Sequence, residues 1–247
     1  MLIKNGDIVT LGDHLLLCGD STDKVMVEKL LSSKSVRLIL ADVPYGVAYV
    51  ESKNGFSKSQ VKRKVIANDQ VQTDESYQLF TQQWLEIMKP YLSAKNSYYI
   101  FNSDKMLFAL KKALDISGFK FCQLLIWIKN HSVIGRMDYL PQHELIAYGW
   151  FGTHQFFKSK DKSILAFPKP NKSPLHPTMK PISLLRHLIL NSTQIGDYVY
   201  DPFGGSGSTL IACEQTKRKC LMVEIDPEYC QTIIDRFNKL KKYENKK

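Results

Sequence analysis

Apolar and polar positions alternate along the chain in two different periods. Short apolar runs rich in β-branched residues, each followed by an acidic or small polar residue, predict buried strands at Leu15–Cys18, Val36–Ala41, Ser97–Phe101, Phe119–Ile128, Glu144–Tyr148, Tyr198–Tyr200 and Cys220–Val223. Segments with a helical period lie between them and predict helices at Lys24–Leu31, Asp74–Met88, Lys105–Ile116, Pro181–Asn191, Ser208–Gln215 and Pro227–Leu240. This alternation is typical of an α/β fold, with a mostly parallel sheet and helices on both faces.

Local signals place the helix starts and the loops. Pro181 and Pro227 suit the first turn of a helix, and Asp226 suits the position that caps one. The stretches 46–73 and 158–178 lack periodicity and are rich in Lys, Ser, Asn or Pro, and long loops of this kind in a compact domain are either functional or disordered. We therefore expect one domain over residues 1–247, with a mobile loop at 46–73.

Composition narrows the class of protein. With 247 residues, 44% of them apolar, the chain can bury a full core, and neither a membrane span nor a signal peptide is visible. The five cysteines form no close pair, so we expect neither disulfides nor a metal site, and a cytoplasmic protein. The net charge of +10 favours a polyanionic partner such as DNA or RNA, although a solvated basic surface is as compatible with it.

A glycine-rich turn near the C-terminus carries the strongest local signal. Residues Asp201 to Thr209, with the sequence Asp-Pro-Phe-Gly-Gly-Ser-Gly-Ser-Thr, follow a predicted strand and open a predicted helix. Closely spaced glycines allow a sharp turn and the close approach of a flat ligand. The segment lacks the third glycine of a dinucleotide fingerprint and the lysine of a phosphate-binding loop. A cofactor other than a phosphate compound is therefore expected here.

Two acidic residues indicate which chemistry that cofactor has. Asp201 stands at the strand end where the turn begins, and a carboxylate there suits a cationic ammonium or sulfonium group. Glu224 ends the next strand, at the offset from which an acid accepts hydrogen bonds from ribose hydroxyls in other nucleoside sites. The pair predicts a cationic nucleoside cofactor.

A second strand ends in the segment Asp42-Val43-Pro44-Tyr45. An exocyclic amine on adenine or cytosine is a poor nucleophile, because its lone pair is delocalised into the ring. The Asp42 carboxylate and the Val43 carbonyl offer two acceptors for the two amino hydrogens, which favours a pyramidal nitrogen with its lone pair aimed at a methyl donor. Tyr45 offers a face on which a flipped-out base can stack.

These two motifs together resemble those of the DNA amino-methyltransferases, in which Asp/Asn/Ser-Pro-Pro-Tyr/Phe/Trp occurs with Asp-Pro-Phe-x-Gly-x-Gly-Ser/Thr. The catalytic segment precedes the cofactor turn here, as in the circularly permuted group called the β class. The chain is similar over its whole length to the small members found with phages and mobile elements, including 127–130, 135–139, 142–144 and 176–181. The resemblance implies a Rossmann-like class I methyltransferase fold, S-adenosylmethionine as cofactor, and a role in DNA methylation and restriction–modification.

The resemblance also implies roles for individual residues. The catalytic segment would consist of Asp42, Val43, Pro44 and Tyr45. The cofactor would be bound by Asp20, His176, Thr178, Lys180, Asp201, Phe203, Gly205, Gly207, Ser208 and Glu224. Target recognition would lie in segments 130–142 and 154–175, with Arg136 and Tyr139 binding DNA. Apart from the resemblance, the basic loop beside the catalytic strand predicts phosphate contacts, or else a solvated loop, for Lys53, Lys58, Lys62, Arg63 and Lys64.

One departure from the family's pattern leaves alternatives open. Val43 replaces the usual proline, which keeps the carbonyl acceptor but restores rotation about φ, so turnover should be reduced or lost. Asp42 favours adenine N6 over cytosine N4, which the family marks most often with serine at this position. We expect an adenine-N6 DNA methyltransferase with a short or relaxed recognition sequence, associated with the nucleoid, or else a dimer that shares recognition. The alternatives are a cytosine-N4 enzyme, an RNA methyltransferase, and a weak or silent cofactor- or DNA-binding module.

Overall fold

The structure is a computed structural model that describes residues 3–44, 72–132, 138–158, 160–168 and 179–244. Its strands are β1 Ile8–Leu11, β2 His14–Cys18, β3 Val36–Asp42, β4 Leu92–Asn102, β5 Phe119–Ile128, β6 His143–Phe151, β7 Ile164–Ala166, β8 Tyr198–Asp201 and β9 Lys219–Glu224. Its α-helices are α1 Lys24–Leu31, α2 Asp74–Met88, α3 Leu107–Ile116, α4 Ile182–Ser192, α5 Ser208–Thr216 and α6 Pro227–Glu244. Each predicted strand and helix is present, with ends that move by a few residues.

The nine described strands form one sheet in the order β1-β2-β9-β8-β3-β4-β6-β5-β7. The central run from β2 to β4 is parallel throughout, and β7 is parallel to β5. Strand β6 is antiparallel to both of its neighbours, and β1 is antiparallel to β2. The prediction of a mostly parallel sheet is confirmed, although the short strands β1 and β7 were not predicted.

The strands bury both faces, and the helices divide between them. Leu38 and Leu40 point to the face covered by α4, α5 and α6, whereas Ile39 and Ala41 point to the face covered by α1, α2 and α3. This two-residue alternation puts a separate apolar core on each side of the sheet. The prediction of helices on both faces is confirmed. Among the described residues, no helix has the length and apolar character needed to cross a bilayer.

The connections change direction at the centre of the sheet. The crossover from β3 leads to β4 on one side, and the crossover from β8 leads to β9 on the other. Strands β3 and β8 lie side by side, with Ile39 paired with Tyr200. Ligands of open α/β sheets bind outside the carboxyl ends of the strands at such a switch point. The fold therefore opens a crevice where β3 and β8 end.

Candidate active site

Four acidic residues follow the carboxyl edge of the sheet in the order of its strands. Asp20 lies just beyond β2, Glu224 ends β9, Asp201 ends β8 and Asp42 ends β3, and these four strands are consecutive neighbours. Because neighbouring strands lie about 4.8 Å apart, the row extends over about 14 Å. The residues predicted for the cofactor and for the catalytic segment are therefore brought together along one edge, although they are far apart in sequence.

Glu224 is held by the backbone at both carboxylate oxygens. Oε2 accepts a hydrogen bond from Gly205 N at 2.6 Å, and Oε1 accepts one from Asp226 N at 2.9 Å. Burial raises the pKa of Glu224 to about 7. Gly19 N donates to the Glu224 carbonyl at 2.9 Å, so the turn that carries Asp20 is fixed beside it. Asp20 and Glu224, both predicted to bind the cofactor, are thus neighbours.

Asp201 is the most buried acid of the row. Its Oδ1 accepts a hydrogen bond from Phe203 N at 3.0 Å, which closes the turn after β8. Burial raises its pKa to about 7, and the Asp42 charge contributes in the same direction. An incoming cation stabilises the ionised form of a buried carboxylate whose pKa is raised. The sequence-based prediction gives Asp201 this role, as the partner of a cationic ammonium or sulfonium group.

The glycine-rich turn is shaped by close packing from behind. Gly207 has φ +80°, and a Cβ there would lie 2.9 Å from Ile233 Cγ1 on α6. Gly205 also has positive φ, at +52°. Arg236, also on α6, donates to the Ser206 carbonyl and to its hydroxyl, the latter at 3.0 Å. Sequence reasoning assigned no role to Arg236, because its contact with the turn depends on the packing of α6.

Phe203 and Ser208 flank this turn. The Phe203 ring packs between Phe80 and Trp84 of α2, with ring centroids 5.7 and 5.8 Å away. The Ser208 hydroxyl is buried and has no hydrogen-bond partner among the described residues. A buried hydroxyl without a partner beside a glycine turn and two buried acids is the kind of lining that a polar ligand completes.

The residues that the structure describes include the predicted catalytic segment as far as Pro44. The Val43 side chain is 2% exposed and packs in the core on the α1–α3 face, whereas Asp42 and Pro44 are partly exposed. Lys180 reaches Asp42 from just before α4, and its Nζ lies 2.6 Å from both carboxylate oxygens. The structure thus places Lys180, which was predicted to bind the cofactor, on the predicted catalytic carboxylate.

Two further charged residues, to which the sequence-based prediction gave no role, extend the Lys180–Asp42 pair along the edge of the sheet. Lys180 Nζ lies 3.2 Å from Glu144 Oε2, and Lys129 Nζ lies 2.7 Å from Glu144 Oε1. Both lysine side chains are almost fully buried. The sequence did contain one signal for these two residues. Each is a charged residue at the end of an apolar strand, and charged residues are rarely buried unless they are paired.

Several predicted residues lie outside the described ones, so their roles stay predictions. They are Tyr45, His176 and Thr178, the DNA-binding residues Lys53, Lys58, Lys62, Arg63, Lys64 and Arg136, and most of the loop 46–73. Tyr139 is described, and its side chain is exposed in the loop between β5 and β6, at the same edge as Asp42. The first part of segment 154–175 lies away from this edge of the sheet, because Phe157 N donates to Asn191 O at the far end of α4.

The fold and the site are those expected of a Rossmann-like enzyme with a nucleoside cofactor, and comparison with known proteins assigns its family. The family model for DNA methylases matches residues 36–235. The chain is 24% identical over 236 residues to the type II methyltransferase M2.LlaDCHI of Lactococcus lactis subsp. cremoris, which covers 87% of this chain and 86% of that protein. It is 25% identical over 221 residues to the type II methyltransferase M2.DpnII of Streptococcus pneumoniae, with 81% of each chain covered.

Solved structures agree with this fold. The complex of M1.HpyAVI with SAM has a TM-score of 0.66 at 22% identity, with 90% of this chain and 98% of that chain covered. The cytosine-N4-specific PvuII DNA methyltransferase has a TM-score of 0.71 at 16% identity, with 92% and 86% covered. The chain belongs to the DNA methylase family of adenine-N6 and cytosine-N4 amino-methyltransferases. It is a DNA methyltransferase, and S-adenosylmethionine is its cofactor.

Proposed function

We propose that this DNA methyltransferase modifies N6 of adenine, with Asp42 as the residue that grips the amino group. The observation that carries the proposal is the row Asp20, Glu224, Asp201 and Asp42 along the sheet edge. Its order matches the order of the groups it would contact, which are the cofactor adenine, its ribose, its methionine part and then the target base. S-adenosylmethionine supplies a methyl carbon activated by a sulfonium.

The buried acids suit the cofactor's charge. Asp201 and Glu224 have pKa values raised to about 7 by burial, so a cationic ligand beside them lowers the cost of their ionisation. Gly205 and Gly207 have the positive φ values that this tight turn requires, and the buried Ser208 hydroxyl offers a hydrogen bond. His176, Thr178 and Phe203 complete this proposed pocket on the basis of the family resemblance.

Asp42 would act on the acceptor base through hydrogen bonds. A carboxylate has about four acceptor positions, so the ammonium of Lys180 and the hydrogens of a base amino group can share it. Hydrogen bonds to Asp42 and to the Val43 carbonyl would favour the pyramidal nitrogen, whose lone pair would take the methyl group that the sulfonium supplies as the carbon–sulfur bond is given up. The nitrogen would then pass one proton to water at the crevice. Alignment of the two reactants supplies most of the acceleration, since effective molarities reach on the order of 10⁵ M or more.

The choice of adenine rests on Asp42, because enzymes of this family that modify cytosine N4 most often have serine at that position. Val43 keeps the second acceptor, and its buried side chain anchors the segment from the core side.

Nucleoside mass spectrometry tests the acceptor. Unmethylated phage DNA and RNA of matched sequence are incubated with the wild-type protein and isotopically labelled S-adenosylmethionine, and then digested to nucleosides. We expect labelled N6-methyl-2′-deoxyadenosine from DNA and no label in RNA. Labelled N4-methyl-2′-deoxycytidine would favour the cytosine alternative, and label in RNA alone would overturn DNA as the acceptor. Intact cofactor binding without any label would favour a binding module.

A further inference from the structure

We infer that Glu144 is a positioning residue for methyl transfer, which holds the Lys180 ammonium against the Asp42 carboxylate and so orients the group that grips the base. The inference rests on the proposed role of Asp42 in the transfer. Glu144 contacts Lys180 at 3.2 Å, and Lys180 contacts both oxygens of Asp42 at 2.6 Å.

The four charged residues form a row of alternating sign. Along the edge of the sheet, from β5 towards β3, they are Lys129, Glu144, Lys180 and Asp42, and the side-chain exposures are 6%, 18%, 5% and 30%. The formal charges cancel, which is the condition under which charged groups are tolerated inside a protein. Asp42 is the most exposed of the four, so the row ends at the crevice, where a base amino group would arrive.

The row is anchored on the rigid part of the fold. Glu144 lies on β6 opposite Trp127 of β5, and Lys129 follows β5 directly. Lys129 N donates to Gln142 O at 2.8 Å, which fixes the loop ends on both sides of the pair. Side chains held by packed strands keep a reactive geometry better than side chains held by loops. Lys180 precedes α4, and Glu144 ties it to β6 as Asp42 ties it to β3.

The surroundings keep the row ionised. Lys180 lies over the Phe101 ring at 5.1 Å, and Lys129 lies over the Trp127 ring at 5.5 Å. Burial opposes ionisation of Glu144, but the charges of Lys180 and Lys129 outweigh it and hold the Glu144 pKa at about 2. Burial likewise opposes the charge of Lys180, and Asp42 and Glu144 raise its pKa. Lys180 is therefore a cation shared by two carboxylates.

Glu144→Gln tests the inference, because glutamine keeps the shape and removes the charge. Glu214→Gln is the matched control: Glu214 is also paired with a lysine, Lys241, its side chain is 17% exposed, and it lies on α5 beside His14 of β2. We expect the single-turnover transfer rate of Glu144→Gln to fall by at least about tenfold, with the KM values for S-adenosylmethionine and DNA within about twofold of wild type. The rate of Glu214→Gln should stay within about twofold.

A second variant covers the case in which Glu144→Gln does not fold. The double variant Glu144→Met with Lys129→Met removes both residues of the Lys129–Glu144 ion pair, so neither charge of that pair is left unmatched. Replacing a buried ion pair by apolar residues preserves stability. We expect this double variant to melt near the wild-type temperature and to lose the transfer rate as Glu144→Gln does. Rates are expressed per molecule competent to bind S-adenosylmethionine.

The outcomes separate the inference from the proposed function. Wild-type protein that transfers no methyl group to DNA overturns the proposed function. An active wild type with an equally active Glu144→Gln or double variant overturns the positioning role alone. A loss that appears in KM with kcat unchanged also overturns it, because the role concerns the orientation of Asp42 and not substrate binding.

Discussion

Lys180 places its ammonium nitrogen 2.6 Å from both carboxylate oxygens of Asp42, although 138 residues separate the two in sequence. The contact joins the segment before α4 to the end of β3. It puts a buried cation directly behind the carboxylate that we propose grips the base, so the proposed transfer depends on a residue outside the predicted catalytic segment. Substitutions here should change stability and activity together.

Lys180→Met should destabilise the fold in a pH-dependent manner. It leaves Asp42 and Glu144 without their shared cation, and breaking a buried ion pair by removing one partner costs about 3–5 kcal/mol. Losing the cation raises the folded-state pKa of Glu144, so the deficit should be largest near pH 8 and shrink as the pH falls and this carboxyl protonates. Urea unfolding at pH 8 and pH 5 measures it, with Lys180→Arg as the charge-retaining control. A deficit that is equal at the two pH values would contradict this prediction.

The affinity for S-adenosylmethionine should rise with pH between 6 and 8. Asp201 and Glu224 have pKa values of about 7 in the unliganded fold, because burial disfavours their ionised forms. Below pH 7 they are increasingly protonated, and a cationic cofactor must displace those protons, so affinity should drop by up to about tenfold per pH unit for each group. The same shift makes the unliganded fold less stable as the pH rises from about 4 to about 7.

Isothermal titration calorimetry at pH 6, 7 and 8, in buffers of different ionisation enthalpy, measures both the affinity and the protons released. Asp201→Asn should bind more weakly at pH 8 and show a shallower dependence on pH, because one of the two titrating groups is gone. An affinity that is flat across this range, or that increases towards acid, would show that neither carboxyl titrates on binding.

Sequence patterns predicted the parallel core well, because buried central strands are continuous apolar runs. Strand β5 matches its predicted range Phe119–Ile128, and α1 and α2 match theirs. Strands β1 and β7 escaped prediction because they are edge strands of only four and three residues, which is too short to show a period. The direction of β6 could not be predicted, since periodicity does not report whether a neighbouring strand is parallel or antiparallel.

The acids of the site were predictable because each one follows a strand end, which is a local feature. The charged residues behind Asp42 were not predictable from the sequence. Lys129 and Glu144 belong to the site only because β6 runs antiparallel to β4 and β5, which brings its first residues to the edge where those strands end. Arg236 is similar, since its contact with Ser206 depends on how α6 packs behind the turn.

Gly207→Ala should damage the cofactor turn in a way that another glycine substitution does not. The new Cβ would lie 2.9 Å from Ile233 Cγ1, and the residue has φ +80°. Gly196→Ala is the matched control, with φ +85° and no atom within 4 Å of its Cβ. Both variants should lose about 1–2 kcal/mol of stability from the left-handed backbone. The Ile233 clash adds to the loss in Gly207→Ala, and that variant alone should bind S-adenosylmethionine at least about tenfold more weakly. Equal affinities in the two variants would separate Gly207 from the cofactor site.

We propose that methyl transfer requires the carboxylate of Asp42, whereas the neighbouring site binds S-adenosylmethionine without it. Transfer of labelled methyl groups to unmethylated DNA by Asp42→Ala, measured beside S-adenosylmethionine binding by the same preparation, tests it most directly. We expect the transfer rate to fall by about a thousandfold or more, which corresponds to about 4 kcal/mol of transition-state stabilisation, while the affinity for S-adenosylmethionine changes by less than about threefold. Methylation at the wild-type rate by this variant would contradict the account.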